Sequence, residues 1–199
     1  MRVSWSSSKA VKRRRIIVAS KQIIETARLV FCTWDEANPA ELVELCTDAG
    51  LRQFGSSTYS SMTLESAREF MAEQAASFSK HRTGKFAVYC KATGELIGIS
   101  GLFEMDPPFD NELELNYRLR QRYWGKGLGV EMGRAVIRYA FETLGRQRLR
   151  ASVAHDNLRS QHVLQQLGMT FETTSPFDAQ EQIWSITAPP SLPSHAPSP

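Results

Sequence analysis

The run "RYWGKGLG", Arg122 to Gly129, stands between the strand-like "ELELNYRL" and the helix-like "VEMGRAVIRYAFETLG". Gly125, Gly127 and Gly129 alternate there with Lys126 and Leu128. A helix N-terminus leaves four N–H groups without an intrahelical partner and carries an effective charge of about +0.5, so it attracts anions. Glycines just before it remove the Cβ atoms that would hold a phosphate away, and Arg122 and Lys126 add positive charge. The segment is expected to be a strand-to-helix turn holding a pyrophosphate. The competing reading is a tight turn whose glycines serve only the backbone.

The flanking pattern decides what such a turn can belong to. "ARLVFCTW" reads as a strand and "DEANPAELVELCTDAG" as a helix with Leu42, Leu45 and Cys46 on one face and Gly50 as its C-cap. "LRQFGSSTYSSM" reads as a loop. A second helix starts at Thr63, with Leu64, Ala67, Phe70 and Met71 as its apolar stripe, and Gly84 stops it. "KFAVYC", "ELIGISGLFEM" and "NELELNYRL" are strands, the first two forming an antiparallel hairpin. After the glycine turn, Val130, Val136, Ile137, Ala140, Phe141 and Leu144 recur at helical spacing up to Gly145. "RLRASVAHD" is a strand, "NLRSQHVLQQLG" a short helix, and "MTFETT" and "EQIWSIT" a last strand pair. The order βααβββαβαββ predicts a mixed α/β (α+β) fold. One parallel βαβ unit lies inside a mostly antiparallel sheet of six to seven strands, with helices on both faces.

Charge separates the ends from the middle. Residues 1–24 hold seven Lys or Arg and no acid, so the +3 total leaves −4 for the rest. Residues 1–22 are expected to be a disordered basic arm or residues upstream of the true start. The functional alternatives are contact with ribosomes, RNA or other nucleic acid, contact with anionic lipid, or a transit peptide. Residues 23–187 form one domain, and the Pro/Ser-rich residues 188–199 a disordered tail. Cys32, Cys46 and Cys90 include no CxxC and the four histidines are dispersed, so neither a disulfide framework nor a metal site is expected. No apolar run approaches the roughly 20 residues of a membrane span, and a cytoplasmic monomer or homodimer is expected.

Three phosphate-binding patterns compete. A P-loop needs GxxxxGK[ST], and Lys126 is followed by Gly127 with no hydroxyl beyond. Gly127, Gly129 and Gly133 with Asp156 approach a dinucleotide turn, but that turn belongs to a series of βα units, and only one is available. Arg122-Tyr123-Trp124-Gly125-Lys126-Gly127 is [QR]xxGx[GA]. With this element order and the "N-x-x-S…LG" segment from Asn157, the chain over roughly residues 23–187 resembles the GCN5-related N-acetyltransferase (GNAT) superfamily. "ELNYRLRQRYWGKGLG" is similar to the RimJ/RimL-like, ribosomal-protein acetyltransferase branch.

The resemblance implies acetyl-CoA as cosubstrate, no metal, and direct transfer to a primary amine, either a protein N-terminus or a small molecule. Arg122 and Trp124, then Gly125, Lys126, Gly127, Leu128, Gly129 and Val130, would surround the pyrophosphate. Tyr117, Arg118 and Leu119 would pair with the pantetheine arm along a splayed strand edge, and Asn157 would hydrogen-bond it. Glu114 matches the strand glutamate that serves some relatives as base. Where many relatives carry a tyrosine acid this chain has Leu164. RimL-like relatives instead carry a serine three residues after the asparagine. Ser160 stands at that place and is the proton donor to the thiolate that the resemblance implies. Ordinary alternatives are an ion pair of Glu112 or Glu114 with Arg118, and a plain helix cap at Asn157. The reading from another class is a non-catalytic acyl-CoA-binding or nucleic-acid-associated module.

Overall fold

A computed structural model describes residues 21–35, 37–53, 57–105, 107–109 and 112–189. The basic run up to residue 20 and the proline-rich residues 190–199 lie outside the described residues.

Eight strands form one sheet in the order β1-β2-β3-β4-β5-β6-β8-β7. They are β1 (Gln22–Glu25), β2 (Leu29–Cys32), β3 (Gly84–Cys90), β4 (Leu96–Glu104), β5 (Leu113–Leu119), β6 (Arg148–Ala154), β7 (Thr170–Thr174) and β8 (Glu181–Thr187). β1 exceeds the expected count. Its four residues sit at the end of the basic run, too short to show alternation, and they pair antiparallel with β2. Every neighbouring pair is antiparallel except β5 with β6, the parallel unit expected around the glycine turn.

The helices are α1 (Pro39–Thr47), α2 (Ala49–Arg52), α3 (Ser57–Ser60), α4 (Leu64–His81), α5 (Leu128–Arg138) and α6 (Leu158–Gln166). The two short helices replace part of the expected loop. Gly50 does not cap α1. Asp48 does, and its carboxylate accepts the N–H groups of Gly50 and Gln121, both at 2.8 Å. A Cβ on Gly50 would meet Leu119 O at 2.6 Å, so the bare backbone lets α2 rest on the end of β5. α4 starts in a reciprocal cap between Thr63 and Ser66 and stops at Arg82 in the left-handed region (φ 62°), two residues before Gly84. Leu64 is 49 % exposed, so the buried stripe begins at Ala67. α5 passes into a π-helical turn, Tyr139–Thr143, before Gly145.

Two apolar cores lie on opposite faces of the sheet. On one, Leu113, Leu115, Met132, Val136 and Leu164 pack β5 against α5 and α6. On the other, Trp34, Leu42, Leu45, Phe70 and Ile99 pack α1 and α4 against β3 and β4. Each fully buried side chain of this size contributes about 1.5–3 kcal/mol by leaving water. With both faces covered, the opening between β5 and β6 becomes the place where a ligand can reach strand edges.

Candidate active site

β5 and β6 are in register only at Leu113 with Leu149 and Glu114 with Arg150. Beyond those pairs the strands part, and the edge of residues 115–119 has no strand beside it. The gap opens into a cleft of about 1340 Å³ lined by β5, the glycine turn, β6 and the start of α6. A strand edge without a neighbour leaves N–H and C=O groups that a ligand can satisfy.

At one end of the cleft α5 begins. Gly125 and Gly127 have φ of +70° and +72°, left-handed conformations that a side chain disfavours, and Gly127 is the N-cap. The first backbone bond into the helix runs from Glu131 N–H to Gly127 O at 3.1 Å. The N–H groups of Leu128, Gly129 and Val130 are therefore left facing the cleft mouth. The turn is braced from behind by Arg28, which donates to Lys126 O at 2.9 Å and pairs with Glu131 at 2.6 Å.

The flanking bases do not behave alike. Arg122 pairs with Glu95, which also accepts from Tyr123 Oη at 2.8 Å, and Lys126 stands 5.2 Å from the Tyr123 ring centroid. Neither lines the cleft. The cation that does line it here is Arg159, whose guanidinium lies 4.8 Å over the Trp124 ring. Trp124 is held in turn by its indole N–H, which donates to Leu119 O at 2.9 Å. Sequence reasoning missed Arg159. The signal available was its place two residues after Asn157, in the first turn of α6.

On the α6 wall, Asn157 is the N-cap and its Oδ1 accepts the Ser160 N–H at 3.1 Å. The ordinary reading of Asn157 as a cap therefore holds, and it also fixes Ser160. The Ser160 hydroxyl lies 2.7 Å from Tyr117 Oη. Leu164 is buried one turn on.

On the β5 wall, Glu114, Asn116 and Arg118 share the face opposite Leu113, Leu115, Tyr117 and Leu119, as alternation requires. Glu114 Oε1 accepts the Ser152 N–H at 3.3 Å across the gap. Burial raises its carboxyl above the usual range, opposed by the Ser152 hydrogen bonds and by Lys85. Glu112 pairs with Arg150, and Arg118 donates to Leu51 O at 3.2 Å and stacks on Tyr59 at 4.8 Å, so Arg118 is on the cleft wall without either glutamate as partner. The Cys32, Cys46 and Cys90 thiols are buried away from the cleft, and burial pushes those of Cys32 and Cys46 up to about 11. Among the described residues no group of three His, Cys, Asp or Glu is gathered for a metal.

A parallel strand pair that parts, with a helix N-terminus at the mouth of the gap, makes a cleft in which a ligand can meet both a strand edge and unpaired N–H groups. The model of the acetyltransferase (GNAT) domain matches residues 28–170, and the chain belongs to this family. Among curated relatives, the uncharacterized N-acetyltransferase p20 of Bacillus licheniformis is 32% identical over 91 residues, 46% of this chain and 51% of its own. The chain thus spans about half the length of that relative. The uncharacterized N-acetyltransferase YoaA of Bacillus subtilis is 26% identical over 178 residues, 84% of this chain and 97% of its own. Among solved structures, RimL, a ribosomal L7/L12 α-N-protein acetyltransferase in complex with coenzyme A, superposes with a TM-score of 0.71 at 15% identity. That superposition covers 84% of this chain and 98% of RimL, and it shows a shared fold.

Proposed function

We propose that the chain transfers the acetyl group of acetyl-CoA directly to a primary amine bound in the β5–β6 cleft. The observation that carries this is the parting of β5 from β6 just after Glu114, with the α5 N-terminus at one end of the gap. The residues fit the cosubstrate. The N–H groups at Leu128 to Val130 suit a pyrophosphate, and the free edge of residues 115–119, including Tyr117 and Leu119, suits a pantetheine arm. Acetyl-CoA supplies a thioester carbonyl and a thiol leaving group.

The rest of the chemistry belongs to the side chains. An amine attacks only when neutral, and Glu114, a half-buried carboxylate held by Ser152 N–H, takes its proton directly or through water. Ser160 hydroxyl stands on the opposite wall to donate a proton to the departing sulfur, held by the Asn157 cap. Holding the two reactants in one closed geometry supplies much of the rate, because a hydroxyl is a weak acid. No cysteine thiol lines the cleft, which supports direct transfer over an acyl-cysteine route.

Thermal shift tests the cosubstrate. Acetyl-CoA at a hundred times its Kd adds about 2.7 kcal/mol of stability, whereas NAD(H) leaves Tm in place. A shift by NAD(H) with none by acetyl-CoA overturns the proposal. Thiol release that depends on an added amine then separates an enzyme from a binding module.

A further inference from the structure

The cleft is lined by two opposite charges, Lys85 and Glu114, that form no ion pair within 4.0 Å of each other. Lys85 of β3 is in register with Gly101 of β4, and Gly101 with Asn116 of β5; Phe103 of β4 is in register with Glu114. Directly opposed residues of an antiparallel sheet project to one side, so Lys85, Asn116, Phe103 and Glu114 share a face. Gly101 adds no side chain between Lys85 and Asn116. It cannot gain one either, since a Cβ there would meet Gly84 O at 1.9 Å.

The Lys85 ammonium lies 4.6 Å over the Phe103 ring. It is half-buried, and among the described residues no carboxylate comes within 4.0 Å of it. Burial draws it below the ordinary lysine range and the nearby Arg118 guanidinium adds to that, while the Glu114 and Glu73 carboxylates oppose the shift. Glu114 beside it accepts, among the described residues, from the Ser152 amide and hydroxyl. Asn116 Oδ1, on the same floor, is buried with no hydrogen-bond partner among the described residues. A desolvated charge with no close ion-pair partner is costly, and a cleft that keeps two of opposite sign apart is complementary to a ligand that brings both.

We propose that the acceptor carries a carboxylate within a few bonds of its amine, bound by Lys85 while Glu114 receives the amine. This rests on the acetyl-transfer reading above. A plain monoamine would leave Lys85 unpaired in the closed cleft, and a polyamine would set a second cation against Lys85 and Arg118. The shared chemistry fits a free amino acid and an acidic residue at a protein N-terminus.

Matched acceptor pairs test it on the full chain, with thiol release from acetyl-CoA as readout. L-phenylalanine is compared with phenethylamine, and C-terminally amidated tripeptides beginning with Asp with those beginning with Asn. The carboxylate-bearing member of at least one pair is expected to show a kcat/KM about tenfold or more above its partner. Preference in the first pair identifies free amino acids, and in the second an acidic N-terminus. Lys85→Gln is expected to erase the ratio by raising KM for the carboxylate member, and Lys85→Arg to retain it, with folding of both checked by their Tm. A ratio near one in both wild-type pairs overturns the inference, as does a ratio that survives in Lys85→Gln. If uncharged amines are acetylated equally well, only this inference fails. If acetyl-CoA binds but no amine of either kind is acetylated, this inference fails and cosubstrate binding stands. If acetyl-CoA neither binds nor releases thiol, the acetyl-transfer reading fails with it.

Discussion

The Tyr117 hydroxyl lies 2.7 Å from Ser160 Oγ and 3.2 Å from the Ser160 carbonyl oxygen. Burial pushes the Tyr117 phenol up to about 12, so it stays protonated at neutral pH and has a hydrogen to give. The tyrosine hydroxyl at this wall comes from β5, whereas α6 offers only Leu164. Either hydroxyl can donate across the 2.7 Å contact, and when Tyr117 gives its one hydrogen to Ser160 Oγ rather than to the carbonyl, the serine hydrogen is free to point into the cleft.

Ser160→Ala is expected to lower kcat about a hundredfold. Tyr117→Phe should lower it about tenfold, because the serine remains but loses its orientation. The double variant should be no slower than Ser160→Ala, since the two hydroxyls act as a unit. Initial rates at saturating acetyl-CoA check this, and additive losses contradict it.

Glu114→Gln should make the protein slower and more stable. As base, the carboxylate must be ionised, so wild-type kcat should rise with pH through a pKa above the usual carboxylate range of about 4.3. The variant should lose about a hundredfold and that pH step. For stability, a pKa raised in the folded state means the folded chain holds the proton more tightly. Its contribution is fully present below the unfolded pKa and is lost as pH rises through the folded one. The Tm of Glu114→Gln should therefore exceed that of the wild type at pH 7, with the gap closing below about pH 4. Calorimetry across that range checks the sign.

Arg159→Gln should weaken acetyl-CoA binding about tenfold, or about 1.4 kcal/mol. Arg122→Gln and Lys126→Gln should change it much less, because Arg122 is paired with Glu95 and neither side chain lines the cleft. Titration of the three variants with acetyl-CoA gives the ranking, and a larger loss at Lys126 would reverse it.

Gly133→Val tests how α6 is held. A Cβ at Gly133 would meet Leu167 Cδ1 at 2.4 Å, so the buried Leu167 side chain at the end of α6 must repack, at a cost of about 1–3 kcal/mol. Since α6 carries Ser160, kcat should fall along with Tm. A Tm loss with unchanged kcat would show that α6 keeps Ser160 in place after repacking.

Much of this molecule is legible in the chain. Glycines at 125 and 127 mark left-handed turns before a helix, and alternation along β5 puts Glu114 and Arg118 on one face and Tyr117 on the other. Those features are local, set by backbone sterics and a two-residue period. What was not legible depends on where side chains end. Arg122 and Lys126 are charged and adjacent to the turn, yet Arg122 is taken up by Glu95 and neither lines the cleft, while Arg159, distant in sequence, arrives over Trp124. The Tyr117–Ser160 contact spans 43 residues, and Lys85 meets the cleft only through the registers of β3, β4 and β5. β1 was missed because four residues beside a basic run carry no usable period.

Mass spectrometry of acetyl-CoA incubated with the full chain, with and without an amine, tests the central claim most directly. Acetyl is expected on the amine alone, with the protein mass unchanged and the acetylated amine appearing more slowly in Glu114→Gln and Ser160→Ala. An acetylated protein that passes its acetyl group to the amine, or acetyl-CoA bound with no amine ever acetylated, would contradict it.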